Sequence, residues 1–111
     1  MMVNSRWKGA EGERELSHKL EAFGYDCRRG QQFCGKNGDA DVVGLPGIHI
    51  ECKRVEQLRL YDALKQAKSD ARKDELPVVM HRRNKSSWVV IMELSDWMEL
   101  YKVWEVVDGE V

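Results

Sequence analysis

The stretch "GDADVVGLPGIHIECKR" (Gly38–Arg54) decides how the chain is read. Two short apolar runs, Val42–Leu45 and Ile48–Ile50, are joined by Pro46-Gly47, the signature of a β-hairpin. Yet Asp39 and Asp41 stand at the mouth of the first run, and Glu51 and Lys53 at the end of the second. Carboxylates and a lysine on strands that must be buried are costly unless paired or used. Side chains alternate along a strand, so His49, Glu51 and Lys53 share one face, while Ile48, Ile50 and Cys52 take the other. Whether Asp41 joins Glu51 depends on register. A two-residue turn that pairs Leu45 with Ile48 sets Asp41 opposite Cys52. A three-residue turn that pairs Gly44 with Ile48 sets it opposite Glu51.

Outward from the hairpin, the order of elements reads α-β-β-β-α-β-β-α. The first helix spans Lys8 to Phe23, with Leu16, Leu20 and Phe23 on one stripe and Gly24 as its stop. Extending that stripe backward brings Glu13 to the inward side, with Gly12 beside it removing bulk. Tyr25 to Phe33 reads as a strand, "CGKNG" (Cys34–Gly38) as a loop, and Val55 to Ala71 as a second helix burying Leu60, Leu64, Ala67 and Ala71. Leu76 to Met80 is a strand whose Pro77 marks an edge or a strand entry. "RRNKSS" (Arg82–Ser87) is a turn and Trp88 to Met92 a strand. Ser95 caps a short helix through Tyr101, and Val103 to Val107 form a last strand or a tail. A helix between strands implies an α/β fold with helices packed on a mixed sheet of four to five strands.

Composition narrows the function. At 111 residues one domain, residues 1–111, is expected. No stretch reaches transmembrane length and Met1–Glu13 has no signal-like apolar core, so an intracellular, cytoplasmic protein with no membrane partner is expected. Three cysteines without a secretory signal argue against disulfides. A zinc site from Cys27, Cys34, His49 and Cys52 matches no known spacing, and alternation sends His49 and Cys52 to opposite faces. The net charge of −1 does not suit a uniformly basic nucleic-acid binder. The charge is uneven, however: Arg28-Arg29, Lys53-Arg54 and "HRRNK" (His81–Lys85) are local basic clusters near strand ends. Trp7, Trp88, Trp97 and Trp104 suit core or dimer packing better than base stacking.

Two neighbouring carboxylates repel, and a cation between them removes the cost. Carboxylate oxygens with water are what Mg²⁺ prefers, and an adjacent lysine can position water or stabilise charge on a phosphate. Asp41, nine intervening residues, then Glu51-Cys52-Lys53 resembles the PD-(D/E)XK nuclease core, with Ala40 where that family places proline. "KGAEGEREL" (Lys8–Leu16) resembles the opening of the Holliday-junction resolvase branch, whose first-helix glutamate maps onto Glu13. Pro77–Trp97 is similar in texture to small resolvase-like nucleases of phages and prophages. The resemblance covers about Lys8 to Met92 and implies a restriction-endonuclease-like core and a metal-dependent DNA endonuclease acting on branched DNA.

It further implies a metal held by Asp41, Glu51, the carbonyl of Cys52 and Glu13. The ion would be Mg²⁺, with Mn²⁺ as a substitute. Lys53 would position the water, and Gln66 on the second helix would support the lysine, Gln57 lying nearby. Arg28, Arg29, Lys36, Arg54, Arg82, Arg83 and Lys85 would bind phosphates, and symmetric cutting implies a homodimer. A nuclease for flaps, nicked duplex or single strands, and a non-catalytic nucleic-acid-binding module of the same fold, are the alternatives.

Overall fold

The computed structural model describes residues 5–31 and 40–108. In order along the chain they form α1 (Ser5–Ala22), β1 (Arg28–Arg29), β2 (Val42–Val43), β3 (Ile48–Arg54), α2 (Leu60–Asp70), β4 (Leu76–Arg82), β5 (Val89–Ile91) and α3 (Leu94–Val107). The five strands make one sheet in the order β1-β2-β3-β4-β5. β3 and β4 run parallel, joined through α2, and every other neighbouring pair is antiparallel. A parallel pair requires such a crossover, because a hairpin cannot connect strands of the same direction.

β3 is therefore the central strand and is covered on both faces, which is why its consecutive residues His49, Ile50 and Glu51 are all buried. On one face α1 packs Leu16 against Cys27, Val42, Ile50, Val78 and Met80. On the other, α2 packs Ala63, Leu64 and Ala67 against Val79. The small alanines let α2 lie close to the sheet. Among the described residues no helix is long and apolar enough to cross a membrane.

Several local expectations are corrected. Phe23 lies past the end of α1 and is 69% exposed. The strand expected over Tyr25–Phe33 shrinks to Arg28–Arg29, with Tyr25 exposed in coil, and Phe33 lies outside the described residues. α2 begins at Leu60 rather than Val55, so its inward stripe is Ala63, Leu64 and Ala67. Leu60 is exposed on its first turn and Ala71 lies beyond its last. Pro77 marks strand entry: it pairs with His49 near the start of interior β4, before the span that β5 covers. Ser95 caps nothing, because α3 starts a residue earlier with Glu93 at its N-cap. Val103–Val107, read as a strand or tail for its β-branched residues, continues α3 as helix. β-propensity reports the packing of a pleated surface, and no neighbouring strand is there to supply it.

Candidate functional site

The hairpin register is that of the longer turn: Val42 pairs with Ile50. The pairing then tightens, for the Asp41 amide also donates to the Ile50 carbonyl at 3.0 Å. β2 ends there, and the Asp41 carboxylate takes over from the missing backbone, Oδ2 accepting the Cys52 amide at 2.8 Å. In an extended strand the N–H and C=O of one residue point the same way. The Cys52 carbonyl thus leaves β3 along the edge that Asp41 occupies. Asp41 and Glu51 are both buried.

α1 crosses this end of β3 at Gly12, where a β-carbon would stand 2.6 Å from Cβ of Arg54 and 3.8 Å from Sγ of Cys52. Close approach delivers the next residue, Glu13, whose Oε1 accepts from Nε of Arg29 at 2.9 Å. Burial pushes the Cys52 thiol far above its usual range, and the carboxylates of Asp41, Glu13 and Glu15 push it further. Three acids from two elements therefore act on one strand residue.

On the α2 side, Nζ of Lys53 donates to Oε1 of Gln66 at 3.4 Å, while Gln57 is exposed in the loop ahead of α2. His49, 3% exposed, lies between acids, with Nε2 3.6 Å from Glu51 and Nδ1 3.6 Å from Glu75. These are ion-pair distances rather than hydrogen bonds, and Nε2 is buried without a hydrogen-bond partner. Glu51 chiefly holds the His49 pKa above its ordinary value, against the opposing effect of burial, with Glu75 and Asp70 adding to it.

The arrangement gathers Asp41, Cys52 and Glu13 at one end of β3, with Glu51 and Lys53 at adjoining positions of that strand. It does not close them into a cage: among the described residues, no three His, Cys, Asp or Glu groups converge on a point that could hold a metal ion. Glu13 is engaged by Arg29, and Glu51 faces His49. What the edge offers is oxygen, from the buried Asp41 carboxylate and a strand carbonyl, with the buried Glu51 at the adjoining position of the strand, and oxygen suits a hard divalent cation rather than zinc. Cys27 and Cys52 are free thiols, and Cys34 lies outside the described residues.

The basic residues divide into two groups. Arg54 and Arg82 are register partners on β3 and β4, and both are held by Glu15 of α1, Arg54 at 3.1 Å. Arg54 also donates to Asn84 at 3.0 Å, and the Asn84 amide donates to Glu56 at 2.8 Å. Arg82 donates to the Ser86 carbonyl at 2.7 Å. These two arginines bind the Arg82–Ser86 turn to the core, which limits the part they can play as phosphate ligands. Arg28, Arg83 and Lys85 are exposed, and Nε of Arg83 donates to Ser86 of its own turn. Lys36 lies outside the described residues.

Glu15 escaped the sequence reading, though it alternates with Glu11 and Glu13 beside the buried Leu16. Glu75 and His81 escaped it too. Nε2 of His81 lies 2.8 Å from the Val55 carbonyl, fixing the segment that follows β3, and no local pattern announces so distant a partner.

A helix, an antiparallel meander ending in an acidic central strand, a crossover helix and a parallel fourth strand make this the restriction-endonuclease-like fold. The solved structure of Hjc, a Holliday junction resolvase from the archaeal hyperthermophile Archaeoglobus fulgidus, shares it. That structure superposes with a TM-score of 0.58 and 24% identity, covering 77% of this chain and 72% of that one. No family model matches the chain, and no curated protein does.

Proposed function

We propose that this chain is a divalent-metal-dependent DNA endonuclease that hydrolyses phosphodiester bonds in branched DNA. The observation that carries the reading is the Asp41 carboxylate on the Cys52 amide. It sets a buried acid beside a strand carbonyl, at the mouth of the strand that bears Glu51 and Lys53. The resolvase of the same fold supports the choice of branched DNA as substrate.

Asp41, Glu51 and the Cys52 carbonyl would hold the cation, with Glu13 as a further ligand, and their hard oxygens suit Mg²⁺ or Mn²⁺. A divalent ion there would polarise the phosphate and acidify a bound water. The chain's own residues do the rest. The Gln66 carbonyl oxygen orients the Lys53 ammonium, which then stabilises negative charge on the attacking oxygen and on the phosphate. Arg28, Arg83 and Lys85 supply exposed positive charge for the backbone of the nucleic acid, while Arg29 is paired with Glu13. Two strands cut symmetrically call for two copies of the chain.

The test is a substrate panel: a four-way junction, a flap, a nicked duplex, an intact duplex and a single strand, each with Mg²⁺ and with chelator. Cleavage of the junction that needs the metal is expected. Preferred cutting of flap or single strand would move the reading to the nucleases for those structures. Binding without cleavage in Mg²⁺ or Mn²⁺ would make the chain a non-catalytic module.

A further inference from the structure

Glu51 is the register partner of Val79, which α2 covers, and His49 shares its side of β3. The buried His49 ring stands between two acids, with Nδ1 3.6 Å from Oε1 of Glu75 and Nε2 3.6 Å from Oε2 of Glu51. Glu75 is fixed from behind. Its Oε1 accepts the Arg72 amide at 2.8 Å, and its own amide donates to the Arg72 carbonyl at 3.0 Å. The next amide, that of Leu76, donates to the Gly47 carbonyl at 2.8 Å and ties this turn to the hairpin. The ring is thus placed between a carboxylate locked in a turn and a carboxylate of the candidate site.

A carboxylate offers only acceptors, so each ring nitrogen must be the donor toward the acid it faces. Neither 3.6 Å separation closes a hydrogen bond. Among the described residues, Nε2 of His49 is the one buried side-chain polar atom left without a partner. Other polar side chains at this depth are satisfied: Oγ of Ser17 donates to the Glu13 carbonyl, and Nε2 of the partly buried His81 meets the Val55 carbonyl, each at 2.8 Å. A buried donor without an acceptor is unfavourable. A movement of Glu51 by less than about 1 Å would supply the acceptor. Carboxylates that bind metals are themselves hydrogen-bonded by the protein, and this orients them.

We propose that His49 is a positioning residue for Glu51. Its Nε2 donates to Oε2 and holds that oxygen inside the protein, which leaves the other carboxylate oxygen for the cation. Glu75 keeps the ring in place from the opposite side. His49 serves in this way only if Asp41 and Glu51 ligate a divalent ion, as proposed above.

Two amides test the role. In His49→Gln the side-chain nitrogen reaches the place of Nε2 and donates to Glu51. In His49→Asn it reaches only the place of Nδ1, facing Glu75. Both are neutral, so the comparison removes the charge of the ring. Mn²⁺ binding to the full chain, without DNA, is followed by electron paramagnetic resonance, with Asp41→Asn measured alongside. His49→Gln is expected to bind Mn²⁺ about tenfold or more tighter than His49→Asn, and Asp41→Asn to weaken the site. Equal affinities for the two amides, or the reverse order, with Asp41→Asn still weakening the site, would overturn the role of His49 alone. A wild type that binds no Mn²⁺, or binding indifferent to Asp41→Asn, would overturn the cation ligands and the role of His49 with them. The wild type gives a second readout that needs no substitution at position 49. On addition of Mg²⁺ the Nε2 resonance of His49 in nitrogen NMR is expected to move, while that of the exposed His18 stays. A His49 resonance unmoved in protein saturated with Mg²⁺ would overturn the proposal.

Discussion

Glu15 accepts from two guanidinium groups, Arg54 of β3 and Arg82 of β4, and so joins α1 to both parallel strands. Burial raises its pKa, but the hydrogen bonds and charges of Arg82 and Arg54 outweigh this and leave it below the ordinary carboxylate value. A group whose pKa is depressed on folding adds stability above its unfolded pKa and loses it as pH falls through the folded one. Glu15→Gln should therefore lower the stability of the metal-free protein by about 1 kcal/mol near neutrality, the pair being partly exposed. The gap from wild type should close as the pH is taken below about 4. Urea midpoints measured in chelator from pH 7 to pH 3 would show it, and a constant gap would mean that packing, not charge, is what the substitution removes.

At the scale of elements, the crossing of α1 over β3 determines whether the acids of two segments reach one place. Gly12 makes it possible, because any β-carbon there would lie 2.6 Å from Cβ of Arg54, an atom that cannot swing aside. Gly12→Ala should cost about 1–3 kcal/mol through overpacking. It should also displace Glu13 from the strand, lowering metal-stimulated cleavage more than DNA binding. Thermal melts and single-turnover rates check the two effects, and a variant as active and as stable as wild type would show that the helix is free to shift. The sequence carries this element well, since the stripe ending in Leu16 points Glu13 and Gly12 inward. It also carries the order of all eight elements. It carries Asp41 less well: the hairpin reading left two registers open, and only the pairing of Val42 with Ile50 decides between them. The partners of Arg54 and Arg82 were not legible at all. A lone arginine on a strand looks the same whether it faces a phosphate or a glutamate many residues away. The length of α3 was legible in the apolar spacing of Trp97, Leu100, Tyr101, Trp104 and Val107, but the β-branched Val103, Val106 and Val107 outweighed it and gave a strand or tail.

The whole molecule is close to neutral, yet it is proposed to hold a polyanion. That requires segregated charge. Acids engage Arg29, Arg54 and Arg82, whereas Arg28, Arg83 and Lys85 stand exposed. Phosphate affinity should therefore rest on the exposed set. Arg83→Ala/Lys85→Ala should weaken junction binding and flatten its log–log salt dependence by up to about two units. Arg82→Ala should act mainly on stability instead. Equal salt slopes for wild type and the Arg83/Lys85 variant would send the DNA path to another surface.

The most direct test of the account is junction cleavage by Asp41→Asn and Lys53→Ala, measured beside junction binding by the same preparations. With saturating Mg²⁺, both variants should lose cleavage while binding is kept, and Asp41→Asn should bind somewhat more tightly because a negative charge near the phosphate is gone. Full cleavage by either variant would contradict the account, for the strand end that bears Asp41, Glu51 and Lys53 would then not be where the bond is broken.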